Sequence, residues 1–433
     1  MIKAGFSRVD VTPPLGTYLS GYFHDRYAKG IIDPLYLNAI ALSDGDETAV
    51  IITADFVGIR EAYATPIRKR IAEHTGLNPD NIIVTALHQH TSIALRDDPG
   101  GKNNVVYDKA YLDVLYRKFC DVAKMAIDDM SEATLALAEK EAIEQISFVR
   151  RFLMKDGTVK THASKDPNMV RPAGDPDNTV RLLKFVREGK NDIALVNFST
   201  HPDTVKGELY SADWPGYTRN YVEEDFEGVS CILVNGAQGD TNHTNYTYGT
   251  RGPGGVHAKY MARVITDTLK EIWDKTEQVN DIKINAGVDF VYQMTRLDGA
   301  ELYDDCNAKL KAVNDGTLPL SVLDYVGGKG GAGRIVRMRT DPLFRKVPVS
   351  VISLGKINFV GFGGEPFTHY ATAVREALPE KYIVAVCSAN GYEGYLPTEA
   401  AFSEGGYEAS SSPFQPSLET ECVGMAVEMI KNF

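Results

Sequence analysis

The chain is poor in positive charge for its size: 46 Lys and Arg stand against 58 Asp and Glu, a net charge of −12. No Lys/Arg-rich run makes up for it locally, so a polyanion would be repelled and nucleic acid is excluded as a partner. Apolar residues never run to the ~18 in succession that a membrane-spanning helix needs, so no membrane span is expected. The five cysteines, Cys120, Cys231, Cys306, Cys387 and Cys422, are odd in number, widely spaced and without a CxxC pair. They imply no disulfide framework, and Cys231 and Cys387, inside apolar runs, read as core residues. The opening MIKAGFSRVDVTPP lacks the basic-then-apolar pattern of a signal peptide. As written the chain is expected in the cytoplasm, or in a secreted or periplasmic setting if a leader was trimmed. There is no GxSxG elbow for a serine hydrolase of that type, and Ser410–Ser412 read as a solvated turn. The glycine-rich GGKGGAG at 327–333 lacks the Gly-Lys-Ser/Thr of a phosphate loop and reads as a mobile loop.

What is present is globular: 433 residues, 43% hydrophobic and 24% charged, enough for a large core. Six segments share one design, a short apolar, β-branched run that stops at a polar or glycine-rich turn. They are AVIITADF (49–56), NIIVTALHQH (81–90), DIALVNFSTH (192–201), CILVNGAQGD (231–240), KINFVGFGGE (356–365) and YIVAVCSANGY (382–392). Runs apolar on both faces suit strands buried beneath helices. Helical spacing of apolar and charged residues fills 61–75, 109–130, 254–276 and 368–377. The alternation predicts an α/β fold with a mixed, largely parallel central sheet flanked by helices, and a site at the carboxyl ends of the strands. No repeat or long linker divides the chain. It reads as a single domain over 1–433 with excursions near 141–190, where Asp156-Gly157 marks a hairpin turn, and near 280–350.

The chain has only nine histidines, and two of them, His88 and His90, form HQH at a strand end. In an extended segment both rings would face one side. His201 ends a third run and Glu365 ends a fifth. Two histidines and a carboxylate are a frequent catalytic zinc set, because neutral imidazole and carboxylate suit this dication and leave a position for water or substrate. The plainer readings are a hydrogen-bonded structural histidine at each strand end, and for Glu365-Pro366 a helix N-terminal acid. Asp55, Asp203 and Asp240, also at strand ends, would either orient such histidines or cap helices.

Taken in order, these strand-end motifs resemble the catalytic domain of the neutral/alkaline (non-lysosomal) ceramidase family. AGFSRVDVTPPLGTYLSGY is similar to that family's start. TADF, TALHQHTS, STHPDT, SADWPG, GAQGDTN, GGEPFT and NGYEGYLPTEAAFSEGGYE follow in the family's order, from residue 3 to about 410. The resemblance implies a zinc ion held by His88, His201, Glu365 and Tyr395. Tyr395 is preferred to Tyr392 because it keeps the family's twelve-residue offset to Tyr407. It also implies that His90 and Tyr407 face the substrate, that Arg150 is the active-site arginine, and that Asp240 orients the attacking water or a histidine. The family's serine position is occupied by Asn242, which favours direct attack by zinc-bound hydroxide over an acyl-serine. No C-terminal immunoglobulin-like domain like that of the long ceramidases is expected.

These features point to a zinc-dependent hydrolase of a small-molecule acyl substrate, an amidase of an N-acyl compound in first place. A lactone, ester or N-acyl-sugar hydrolase using the same centre is the second reading, and a non-catalytic metal-containing binding protein the third. Oligomeric state leaves no trace in the sequence.

Overall fold

A computed structural model describes residues 2–97, 106, 108–163 and 165–433. The principal strands are β1 (Ile2–Asp10), β2 (Tyr36–Ser43), β3 (Thr48–Ala54), β4 (Ile82–Ala86), β5 (Ser131–Glu141), β6 (Thr179–Arg187), β7 (Asp192–Phe198), β8 (Val229–Asn235), β9 (Ile284–Met294), β10 (Phe344–Leu354), β11 (Ile357–Phe362) and β12 (Tyr382–Val386). The helices that cover them are α1 (Glu61–Thr75), α2 (Lys109–Asp128), α3 (Asp213–Asp225), α4 (Gly254–Ile272), α5 (Gly328–Arg337), α6 (Thr368–Ala377) and α7 (Leu418–Asn432).

Two sheets carry the fold. The first runs β8-β7-β6-β5-β1-β2-β3-β4, with the short strand Glu277–Val279 against β5, and the second runs β9-β10-β11-β12. Ile40, Ile51, Leu183, Leu195 and Val234 of the first sheet share one buried cluster with Ile352, Phe359 and Val384 of the second, so the sheets pack face to face. Helices α1 and α2 cover the outer face of the first sheet at one side, α3 and α4 at the other, and α6 and α7 cover the second sheet. The result is four layers, helix, sheet, sheet and helix.

The mixed sheet expected from the sequence is there, but the pairing is not largely parallel. Most pairs in the first sheet are antiparallel, and parallel pairing is confined to β3–β4 and β7–β8, with β11–β12 in the second. The apolar-on-both-faces signal is met in another way. Each sheet lies between a helical layer and the other sheet, so antiparallel strands are buried on both sides as well.

The three parallel pairs are the six apolar runs of the sequence, and each pair is joined by a crossover helix, α1, α3 or α6. Buried side-chain amides tie their carboxyl ends together. Asn390 accepts from the Val84 N–H (2.9 Å), Asn197 donates to the carbonyls of Val234 (3.0 Å) and Ala385 (3.1 Å), and Asn235 donates to the carbonyl of Leu87 (3.1 Å). The last bond joins the ends of the two outermost strands of the first sheet.

The two excursions have structures of their own. Arg151–Met154, Val159–Thr161 and Met169–Pro172 form a three-stranded sheet, with Gly157 at φ 84° in the turn after Asp156. The second excursion is a long hairpin of β9 and β10, paired from Ile284–Leu354 to Met294–Phe344, with helices at its tip. GGKGGAG is not a mobile loop: most of it opens helix α5. Its glycines are needed for closeness, since a Cβ at Gly330 would stand 2.5 Å from the Tyr407 ring. Among the described residues no helix is long and apolar enough to cross a membrane.

Candidate metal centre

Three of the six runs deliver their terminal residues, His88, His201 and Glu365, to one place. Strand β4 ends at Ala86, and two residues later His88 has φ 79°, a left-handed conformation that a residue with a Cβ adopts only under constraint. The His88 N–H bonds the carbonyl of Phe56 (2.8 Å), which holds the turn. This turn, and not the pleat of an extended strand, brings the two rings of HQH together: His88 Nε2 and His90 Nε2 are 3.1 Å apart. His201, after β7, places its Nε2 3.2 Å from His88 Nε2. Glu365, after β11, places Oε2 3.3 Å from His88 Nε2 and 3.5 Å from His201 Nε2. All four side chains are buried, and the three histidines form a group able to hold a metal ion.

The second nitrogens decide the character of this cluster. His88 Nδ1 lies 2.7 Å from the carbonyl of Val57 and His201 Nδ1 3.1 Å from that of Gln238. A carbonyl only accepts, so each Nδ1 carries the proton, and in the neutral ring Nε2 is left as a lone pair. Burial, then the charges of Arg150 and the other two histidines, push His201 well below its ordinary pKa, so it is neutral. Burial would raise the Glu365 carboxyl, but the Arg150 charge helps to hold it below its usual value, so it is ionised. Its Oε2 is buried without a hydrogen-bond donor. Acceptors thus face acceptors at the separation of about 3.3 Å expected between tetrahedral ligands with bonds of ~2.0–2.1 Å. A cation removes that conflict, and the donor set fits zinc.

The remaining predicted residues border the cluster. Glu365 and Tyr395 are register partners in a two-residue parallel pairing. The Tyr395 ring is 5.5 Å from that of Tyr407. Tyr392 lies against His88, with ring centroids 5.4 Å apart. Burial and the Glu365 charge push Tyr395 well above the ordinary phenol value, against the pull of Arg150, and push Tyr407 up to about 12. Arg150 is buried, donates to Glu408 Oε1 (2.7 Å) and to the Gly239 carbonyl (2.9 Å), and lies over the Tyr395 ring at 5.4 Å.

Asp240 Oδ1 accepts from the Thr368 N–H (2.8 Å) and hydroxyl (2.9 Å), so its carboxylate caps α6, while its backbone carbonyl accepts from Arg150 N (3.0 Å). Asn242 accepts from the Thr244 N–H (3.0 Å), an ordinary local turn. Asp55 pairs with Arg219 and also holds Gln89, the residue between the two histidines, at 3.0 Å.

Glu408 is a site-bordering residue that residue-by-residue reading of the sequence passes over. It is fully buried, pairs with Arg150 and accepts from the Thr161 hydroxyl (2.7 Å). Its only signal is its place next to Tyr407. The carbonyls of Val57 and Gln238 leave no sequence signal, because any residue offers one.

No family model matches the sequence, and no curated protein matches it either. Solved structures do. The neutral ceramidase of Pseudomonas aeruginosa superposes with a TM-score of 0.75, covering 99% of this chain and 74% of its own, at 16% sequence identity. A ceramidase complexed with C2 gives the same TM-score and coverage at 15% identity. The chain therefore has the ceramidase fold.

Proposed function

We propose that the chain is a zinc-dependent hydrolase that cleaves the amide bond of an N-acyl compound. His88, His201, Glu365 and Tyr395 hold the metal, and the acyl substrate lies beside His90 and Tyr407. The observation that carries this reading is the cluster of buried acceptors with no donor among them: two imidazole lone pairs and a carboxylate oxygen directed at one point. Tyr395, the register partner of Glu365, supplies the fourth ligand, since a dication lowers a phenol pKa and offsets the burial that keeps it neutral. When bound, zinc supplies a Lewis acid that polarises a carbonyl and acidifies a water.

The chain's own groups do the rest. Tyr407 remains a phenol at neutral pH, so it can donate a hydrogen bond to an oxyanion that forms beside it. Arg150, with its charge balanced by Glu408, lies over the Tyr395 ring and keeps a positive charge beside the developing negative one. His90, whose Nε2 faces the same centre, moves the proton. An amide is favoured over an ester or lactone by the fold shared with the ceramidases, and ceramide is one candidate among N-acyl compounds.

Elemental analysis of the wild type against His88→Ala tests the centre: about one zinc per chain is expected, lost in the variant. A panel of N-acyl amines (ceramide included), esters and lactones tests the bond. A wild type that takes up no zinc on reconstitution refutes the reading.

A further inference from the structure

Two of the three central histidines have Nδ1 committed to a backbone carbonyl; His90 does not. Its Nδ1 is buried and has no hydrogen-bond partner, and the residue is only 9% exposed. The acidic group that faces it is Asp203, whose Oδ1 lies 3.7 Å away. Asp203 is held there by its backbone, since its carbonyl accepts from His243 Nε2 (3.0 Å) and the His243 carbonyl in turn accepts from His257 Nε2 (3.1 Å). The neighbouring Pro202 carbonyl accepts from the His90 N–H (3.3 Å).

The N-terminal segment closes over this pair. The Tyr22 hydroxyl donates to the same Oδ1, and its ring meets the His90 ring edge-on at 5.3 Å. Arg26 lies over the Tyr22 ring at 4.1 Å and donates to the His90 carbonyl (2.6 Å). A Cβ on Gly21 would stand 2.8 Å from the His90 ring. So many contacts on one imidazole hold its plane, and the Asp203 carboxylate is the anionic acceptor that faces Nδ1.

The geometry points to Asp203 as the positioning residue of His90. Its carboxylate accepts the Nδ1–H, which turns the Nε2 lone pair toward the reacting atoms, and it balances the positive charge whenever the ring holds two protons. Tyr22 keeps the carboxylate aimed while the ring is neutral. The inference rests on the hydrolase reading above. A water O–H bond breaks as Nε2–H forms, and the oxygen adds to the acyl carbon. The C–N bond then breaks while the Nε2 proton passes to the leaving nitrogen, so the ring ends neutral as it began.

The test is long-range proton–nitrogen NMR of the zinc-loaded protein labelled at its nine histidines, with His90 assigned by substitution. In the wild type the His90 ring is expected protonated at Nδ1, and Asp203→Asn is expected to shift the His90 ring signals while those of His88 and His201 stay in place. On an N-acyl substrate that the wild type cleaves, Asp203→Asn should lower kcat about 10–100-fold with KM and zinc content unchanged. It should cost nothing further in a His90→Ala background. Unmoved His90 signals, or losses that multiply in the double variant, overturn the proposal. If Asp203→Asn does not fold, Tyr22→Phe replaces it, because removing the phenol that shares Oδ1 must move the same signals. Should no substrate be cleaved, the hydrolase reading fails, while the ring signals still decide the Asp203–His90 pairing.

Discussion

Asp55→Asn should be among the most destabilising single changes near the centre. Asp55 is fully buried and Arg219 2% exposed at the side chain, and the guanidinium bonds both carboxylate oxygens, at 2.9 and 2.6 Å. Oδ1 also accepts from Gln89 and Oδ2 from the Tyr36 N–H, so four donors converge on one carboxylate. An asparagine removes the charge and turns an NH₂ group toward two of those donors whichever way it is flipped. Breaking a buried pair by removing one partner costs about 3–5 kcal/mol, because the remaining charge stays buried and uncompensated. Against a total stability of ~5–15 kcal/mol, that is a large fraction. Urea unfolding followed by circular dichroism gives the loss as a shift in midpoint at constant slope. Adding Arg219→Met removes the orphaned cation, so the double variant should lie closer to the wild type than Asp55→Asn alone. Zinc affinity of the single variant should fall about 10–100-fold, since Gln89 sits between His88 and His90. A loss under about 1 kcal/mol, or a double variant worse than the single, would refute the reasoning.

Glu365→Gln keeps the shape of the side chain but removes the charge directed at the centre, so zinc retention through dialysis should drop; unchanged zinc content would count against Glu365 as a ligand. His243 is buried and its pKa is pushed down to about 3, by burial first and then by the His257 charge. A depressed pKa gives stability that is present above the unfolded value near 6.5 and is lost as pH falls toward 3, at about 1.4 kcal/mol per pH unit. Melting curves between pH 7 and 4 should therefore show a steep acid limb, and His243→Gln should flatten it; an unaltered limb contradicts the assignment. Gly330→Ala puts a methyl where the Tyr407 ring now lies, so it should lower kcat by something on the order of tenfold to a hundredfold and lower the melting temperature as well. Normal turnover would mean that Tyr407 has no positional role.

Several things were legible in the residues alone. The six apolar runs were, because a strand covered on both sides must be apolar on both sides, whatever buries it. The helices over 61–75 and 368–377 were, because their period is local. The strand-end positions of His88, His201 and Glu365 were also visible, since a polar residue that stops such a run marks its carboxyl end. The order of the motifs carried the resemblance to the ceramidases, and with it Tyr395 and Tyr407.

Other features depend on which strand lies beside which. Strand direction was misread because burial by a second sheet leaves the same pattern as burial by helices. The meeting of His88 and His90 rests on a left-handed turn at His88, which nothing in HQH announces. GGKGGAG gave no helical signal, because glycines such as Gly330 and Gly331 serve close approach to Tyr407 and Ser410 and not helix propensity. The neutral tautomers come from the carbonyls of Val57 and Gln238, which every sequence possesses. Local chemistry is written in side chains and survives in one dimension. The convergence of three crossover units, and the tautomers, contacts and pKa shifts that follow from it, depend on distances the folded chain alone creates.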